Sequence, residues 1–239
     1  MTSVADLRVK IFADGADVAH MVESYRLPFV RGFTTNPTLM RKAGVQDYRA
    51  FARDVLTAIP DRPISFEVFS DDVVEMESQA REIASWGANV YVKIPVTNTF
   101  GEPATTLIAR LAAAGVKVNV TAVMTIAQVR QVAQSLAAGP PACVSLFAGR
   151  IADTGRDPVP IVAAAVEALR PYPNLELIWA SPRELLNLFQ ADAVGCHIIT
   201  MTRDLIAKLA LVGKDLNEFS LDTVKMFRDD AVKAGYALI

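Results

Sequence analysis

Short runs of β-branched and other apolar residues recur along the chain, and each is followed by a longer stretch whose apolar positions return every three or four residues. The first kind of run suits a strand buried on both faces, and the second suits a helix packed along one stripe. The runs at 9–13, 31–34, 64–69, 90–95, 116–121, 142–147, 175–180 and 196–200 predict strands. The stretches at 17–25, 48–58, 74–86, 104–113, 126–137, 159–169, 182–191 and 203–211 predict helices. Two helix starts carry local devices: Thr125-Ile126-Ala127-Gln128 has capping-box spacing, and Ser181-Pro182 places a proline in a first helical turn.

Eight strand–helix pairs in strict alternation are the pattern of parallel βαβ units. They fill roughly 200 residues, which leaves little room for a second sheet, and closure into a barrel removes exposed strand edges. The pattern therefore predicts an α/β protein, a single (β/α)8 TIM barrel domain over residues 1–239. The tail at 213–239 holds one additional C-terminal helix, patterned over 220–234, that no barrel strand requires.

Composition narrows the function classes. With 52% hydrophobic and 21% charged residues the chain can bury a large core, which excludes general disorder. Its 24 Lys and Arg against 26 Asp and Glu give a net charge of −2, interspersed along the chain, which argues against nucleic acid and a membrane surface as partners. The longest apolar stretches, as at 161–166, fall far short of the roughly 18 residues of a spanning helix. The segment Met1-Thr2-Ser3-Val4-Ala5-Asp6 lacks a basic region followed by an apolar one, so a cytoplasmic protein is expected. Cys143 and Cys196 sit in strand-like apolar runs as core filler, and His20 and His197 have no ligand-spaced neighbours. No disulfide, metal or cofactor is expected.

In a barrel of this kind chemistry gathers at the carboxyl ends of the strands, and here those ends are polar. Asp14 closes the first strand, Thr34-Thr35-Asn36-Pro37 the second, and Glu67 and Lys93 lie on the third and fourth. Asn119 and Thr121 follow on the fifth, Ser145 and Phe147 on the sixth, and Ser181 begins the seventh loop. Lys93 stands mid-strand among β-branched residues and can scarcely avoid burial, which disfavours an ammonium. A desolvated lysine is an amine nucleophile suited to Schiff-base formation with a ketone. The alternatives are a lysine that snorkels outward, or one paired with a buried acid such as Glu67 or Asp14. Those two acids are either ion-pair partners or functional acid/bases, and the roles are compatible. Asn36 precedes a proline and would equally serve as a helix cap. Arg150, Ser181 and Arg183 place two guanidiniums and a hydroxyl near the late strands, where barrels often bind phosphate, although Arg150 would also suit a surface salt bridge.

Taken in order, Ile11-Phe12-Ala13-Asp14, Thr34-Thr35-Asn36-Pro37, Val92-Lys93-Ile94-Pro95 and Phe147-Ala148-Gly149-Arg150 resemble the transaldolases. The likeness is to their short single-barrel branch, which includes fructose 6-phosphate aldolase, and it runs through essentially the whole barrel. It implies that Lys93 is the Schiff-base lysine, that Asp14 is the acid/base at the C4 hydroxyl, and that Glu67 and Thr121 hold the proton-shuttling water. By the same resemblance Asn36, Asn119 and Ser145 bind the hydroxyls of the dihydroxyacetone unit, and Thr35 and Phe147 are further substrate-binding positions. Arg150, Ser181 and Arg183 then form the phosphate clamp. The transaldolases carry an acid at the place of Glu67 and Phe at that of Phe147, where the aldolase branch resembles Gln and Tyr, so this sequence sides with transfer. It departs from the family's Ser-Phe-Arg pattern with Ser181-Pro182-Arg183, and its loops at 98–102 and 154–157 also vary. The expectation is a metal-independent transaldolase acting on sugar phosphates. The rivals are a fructose 6-phosphate aldolase, an enzyme for a specialised sugar such as a sulfonated or longer-chain ketose, and a barrel that only binds sugar phosphates. The family also implies a homo-oligomer, pentameric or decameric.

Overall fold

The computed structural model describes residues 4–238. Strands β1 (Lys10–Asp14), β2 (Val30–Thr34), β3 (Ile64–Glu67), β4 (Val90–Pro95), β5 (Val118–Val123), β6 (Ala142–Leu146), β7 (Leu175–Trp179) and β8 (Ile198–Thr202) pair in parallel in chain order. Strand β8 returns to β1, with Asp14 opposite Thr202, and closes the barrel. Around it run α1 (Val18–Tyr25), α2 (Pro37–Lys42), α3 (Tyr48–Ala58), α4 (Val73–Ser85), α5 (Thr105–Ala113) and α6 (Ile126–Leu136). The second half adds α7 (Ala148–Ala152), α8 (Val159–Leu169), α9 (Leu186–Ala193), α10 (Arg203–Ala207) and the tail helix α11 (Leu216–Lys233).

Side-chain alternation along the strands builds two cores. Outward-facing residues such as Phe33, Phe66, Val92, Leu146 and Trp179 pack against the helices in one continuous apolar shell. Inside, Phe12, Cys143, Ile178, Ala180 and Ile198 form a separate plug bordered by Tyr91 and Phe147. Gly32 makes room for that plug, because a Cβ there would lie 2.5 Å from the Phe12 ring. The plug is the floor on which the polar strand ends stand. Burial pushes the Cys143 thiol up to about 12, so it sits there as an inert apolar group.

The helices begin where the sequence supplies acceptors for free N–H groups. Asp17, Asn36, Asp47, Asp72 and Asp215 each cap a helix, and Thr125 and Gln128 make both bonds of the capping box. Helix α11 starts earlier than the sequence pattern suggests because Asp215 caps it. It contributes no buried residue, and Leu216, Val224, Phe227 and Val232 stand exposed on it.

Other boundaries also differ from the sequence expectation, and the helix expected over 203–211 is α-helical over Arg203–Ala207 and a 3-10 turn over Lys208–Leu211. Strand β3 stops at Glu67: after the Val68 N–H, which still meets β4, the Gln79 side chain takes the N–H groups of Phe69 and Ser70, and Phe69 is 54% exposed. Strand β5 runs later, through Val123, carrying a break in its pairing with β6 where Ala122 adopts φ 60°. Helix α9 begins at Leu186 instead of Pro182, since Asn187 Oδ1 accepts from Arg183 N and Glu184 N in a preceding turn. Cys196 precedes β8 and does not lie in it. The short α2 and α7 had no periodicity long enough to announce them. Among the described residues no helix is long and apolar enough to cross a membrane.

Candidate active site

The carboxyl ends of the strands open into a cavity of about 590 Å³. Asp14, Glu67, Lys93, Thr121 and Ser145 line it, together with Asn36, Phe147, Arg150, Ser181 and Arg183. Strand register explains the grouping: Glu67 lies opposite Lys93 on β4, and Lys93 lies opposite Asn119 on β5.

The Lys93 side chain is 7% exposed and its Nζ lies 3.0 Å from Glu67 Oε2. It also donates to the Thr35 carbonyl at 2.9 Å. Of the sequence alternatives, pairing with Glu67 is therefore realised, and the snorkelling lysine is not. A buried ion pair is weak evidence for stability, because desolvation offsets the attraction. Its value lies in placing a carboxylate against an amine that faces the cavity.

Asp14 ends β1 and accepts from Thr34 Oγ1 at 2.8 Å, and Thr34 in turn bonds the Thr200 hydroxyl. Burial holds the Asp14 carboxyl above the usual carboxylate range, with Glu67 adding to the rise and Lys93 and the Thr34 bond opposing it. A carboxyl so balanced is suited to take and return a proton. Thr121 Oγ1 is buried with no protein partner among the described residues, so a water or a substrate oxygen in the cavity is its available partner.

Two residues chosen from the sequence for substrate binding do not line the cavity. The Thr35 hydroxyl donates to the Ser65 carbonyl at 2.8 Å, because its side chain turns toward β3, and its contribution to the site is its own carbonyl. Asn119 is wholly buried one layer lower, its amide spent on Ser65 Oγ at 3.0 Å and on accepting from Ser145 Oγ at 2.8 Å. It orients Ser145 from beneath. Asn36 does line the cavity, but its Oδ1 accepts from Leu39 N at 3.0 Å as the α2 cap, which leaves only the amide nitrogen to donate.

The basic wall is built from α7 and the loop after β7. Arg183 is tied to Asp153 through Nε at 3.0 Å and a second, shorter Nη2 contact, and Arg150 is exposed on α7. Ser181 adopts φ 60°, a left-handed conformation uncommon outside glycine. Helix α7 presses directly on that residue: a Cβ at Gly149 would lie 1.5 Å from the Ser181 carbonyl oxygen. Glycine at 149 thus lets the two arms of the wall meet. Sequence reasoning quoted Thr34 in a motif without giving it a role, and it missed Thr200, Ser65 and Asp153, which hold the site from behind and carry no motif of their own. Inward alternation on β2, β3 and β8 was the signal for Thr34, Ser65 and Thr200. Among the described residues no group of three or more His, Cys, Asp and Glu side chains is placed to hold a metal ion.

The transaldolase/fructose-6-phosphate aldolase family model matches residues 11–238, which includes every strand end around the cavity. The chain belongs to this family. A relative from Dehalococcoides mccartyi named "Probable transaldolase" is 35% identical over 194 residues, covering 81% of this chain and 86% of that protein. One of the same name from Thermoanaerobacter sp. is 33% identical over 228 residues, 95% of this chain and 99% of the relative. Membership makes the chain a transaldolase-type enzyme and agrees with the sequence resemblance. Among solved structures, dihydrodipicolinate synthase from Rhodopseudomonas palustris superposes with a TM-score of 0.61 at 14% identity, over 98% of this chain and 82% of that one, a likeness of barrel fold alone.

Proposed function

We propose that the enzyme moves a dihydroxyacetone unit from a ketose phosphate, fructose 6-phosphate or sedoheptulose 7-phosphate, to an aldose phosphate through an imine on Lys93. The observation that carries this reading is the buried Lys93 amine, held 3.0 Å from Glu67 in a cavity that also presents Asp14 and two arginines. The neutral amine adds to the C2 carbonyl, and the carbinolamine loses its hydroxyl as water with a proton supplied through Glu67 and a water on Thr121. The Asp14 carboxylate then takes the C4 hydroxyl proton while the C3–C4 bonding pair flows into the iminium. An aldose phosphate leaves and a neutral enamine remains, so no free carbanion forms. An incoming aldehyde takes the enamine carbon, Asp14 returns the proton to the new hydroxyl, and water releases the ketose and the lysine. Arg150, Ser181 and Arg183 bind the phosphate, while Ser145 and the Asn36 amide hold the hydroxyls of the retained unit.

The test is borohydride reduction in the presence of fructose 6-phosphate, followed by peptide mapping. A three-carbon adduct on Lys93 supports the reading. Absence of an adduct with this donor and with sedoheptulose 7-phosphate defeats it in favour of a specialised ketose or a barrel that only binds.

Transfer is favoured over release by the residues that meet the enamine. Phe147 brings no hydroxyl to the cavity, so no side chain at that position steers water to protonate the intermediate. Phe147→Tyr is expected to raise free dihydroxyacetone relative to transfer product by about tenfold or more, the scale of one added hydrogen bond in a transition state. An unchanged product ratio would remove the case for transfer.

The exposed apolar residues of α11, with the family's pentamers and decamers, support a homo-oligomer of this chain. Light scattering should give a mass several times 25.9 kDa, and a monomer would exclude the assembly.

A further inference from the structure

Strand β3 outlasts its neighbour. Along a parallel strand the N–H and C=O of one residue point to the same side, and alternate residues point to opposite sides. The Ser65 carbonyl accepts from Thr35 N on the β2 side, whereas Val68 N donates to the Lys93 carbonyl on the β4 side. Glu67, two residues beyond Ser65, therefore turns its main-chain groups toward β2. But β2 ends at Thr34, paired with Ser65, and Pro37 then opens α2, so no strand is left to meet them.

Tyr48, the first residue of α3, supplies both partners. Its hydroxyl accepts from Glu67 N at 2.8 Å and donates to the Glu67 carbonyl at 3.1 Å. Its ring is held by Phe69, Trp86 and Phe66 at centroid distances of 4.6, 5.4 and 6.1 Å. We propose that Tyr48, which lies outside the mouth cavity, is a positioning residue for Glu67: its phenol replaces the missing rung of the sheet and fixes the backbone from which Glu67 reaches Lys93. Burial keeps the phenol protonated well beyond its usual range, so it stays both donor and acceptor across the working pH. The inference rests on the imine reading of Lys93, in which Glu67 manages the protons of carbinolamine formation and dehydration.

The variant that isolates the hydroxyl is Tyr48→Phe, which keeps the ring against its aromatic neighbours. Its control is Trp86→Phe, which disturbs the same cluster without touching Glu67. Both are compared with the wild type for melting temperature and for the rate at which saturating fructose 6-phosphate builds the borohydride-trapped adduct on Lys93. Tyr48→Phe should slow adduct formation about tenfold, as for one or two lost hydrogen bonds, with KM changed by less than about twofold. Trp86→Phe should form the adduct at the wild-type rate, even where it melts as low or lower. A wild-type rate in Tyr48→Phe, or equal slowing in both variants at equal melting temperature, would overturn the positioning role while leaving the imine intact. Failure of the wild type itself to form the adduct would overturn the imine reading, and this role with it.

Discussion

Replacing Lys93 by alanine is expected to reduce turnover to background, a loss of about four orders of magnitude or more, the scale on which removal of a covalent nucleophile acts. Alanine also leaves Glu67 without its partner in a site where that carboxylate is only 15% exposed, which is destabilising in its own right. Lys93→Arg separates the two effects. A guanidinium preserves the charge opposite Glu67 but does not lose its proton to become a nucleophile. If the lysine acts through its charge alone, arginine should retain measurable turnover. If it acts through an imine, the arginine variant should be as inactive as alanine, give no borohydride adduct, and still fold with a circular dichroism spectrum like the wild type. Turnover above background in Lys93→Ala would defeat the assignment outright.

The strand ends were readable because barrel geometry turns a one-dimensional pattern into a ring. Once the strands are placed in order, Asp14, Glu67, Lys93, Thr121 and Ser145 must converge, since inward alternation at the carboxyl end leaves them nowhere else to point. What the sequence concealed were roles played by the backbone or by distant partners. The Thr35 carbonyl that binds Lys93 belongs to any residue type, so no side chain could announce it. The family resemblance made Asn119 a substrate-binding position, and its burial beneath Ser145, whose hydroxyl it accepts from, is a matter of depth in the barrel that a strand pattern does not show. The left-handed Ser181 and the tight contact at Gly149 follow from how two loops meet, and neither loop has a periodic signal. Tyr48 read as the start of an amphipathic helix, and only the shortfall of β2 against β3 gives its hydroxyl a task.

Asp14→Asn should separate binding from bond cleavage and, at the same time, strengthen the fold. As the acid/base at the C4 hydroxyl, Asp14 should contribute about 10²- to 10⁴-fold to cleavage, so the variant should still form the trapped imine while its turnover falls by that factor. The effect on stability follows from the direction of its titration. Burial raises the folded carboxyl above its unfolded value, so folding favours the protonated form. Its favourable contribution is present below the unfolded value, near pH 3.9, and is lost as pH rises through the raised folded value. At neutral pH the carboxylate therefore opposes folding, and asparagine, which resembles the protonated acid in shape, relieves the cost. The variant should melt above the wild type at pH 7, with the gap shrinking toward zero as the pH falls below the unfolded value. A lower melting temperature at pH 7 would mean that attraction to Lys93 outweighs burial, and a wild-type turnover would move the acid/base role to another group. An enzyme that becomes more stable by losing its activity at one carboxyl would place the cost of catalysis at Asp14, in the layer of the barrel just above the apolar plug.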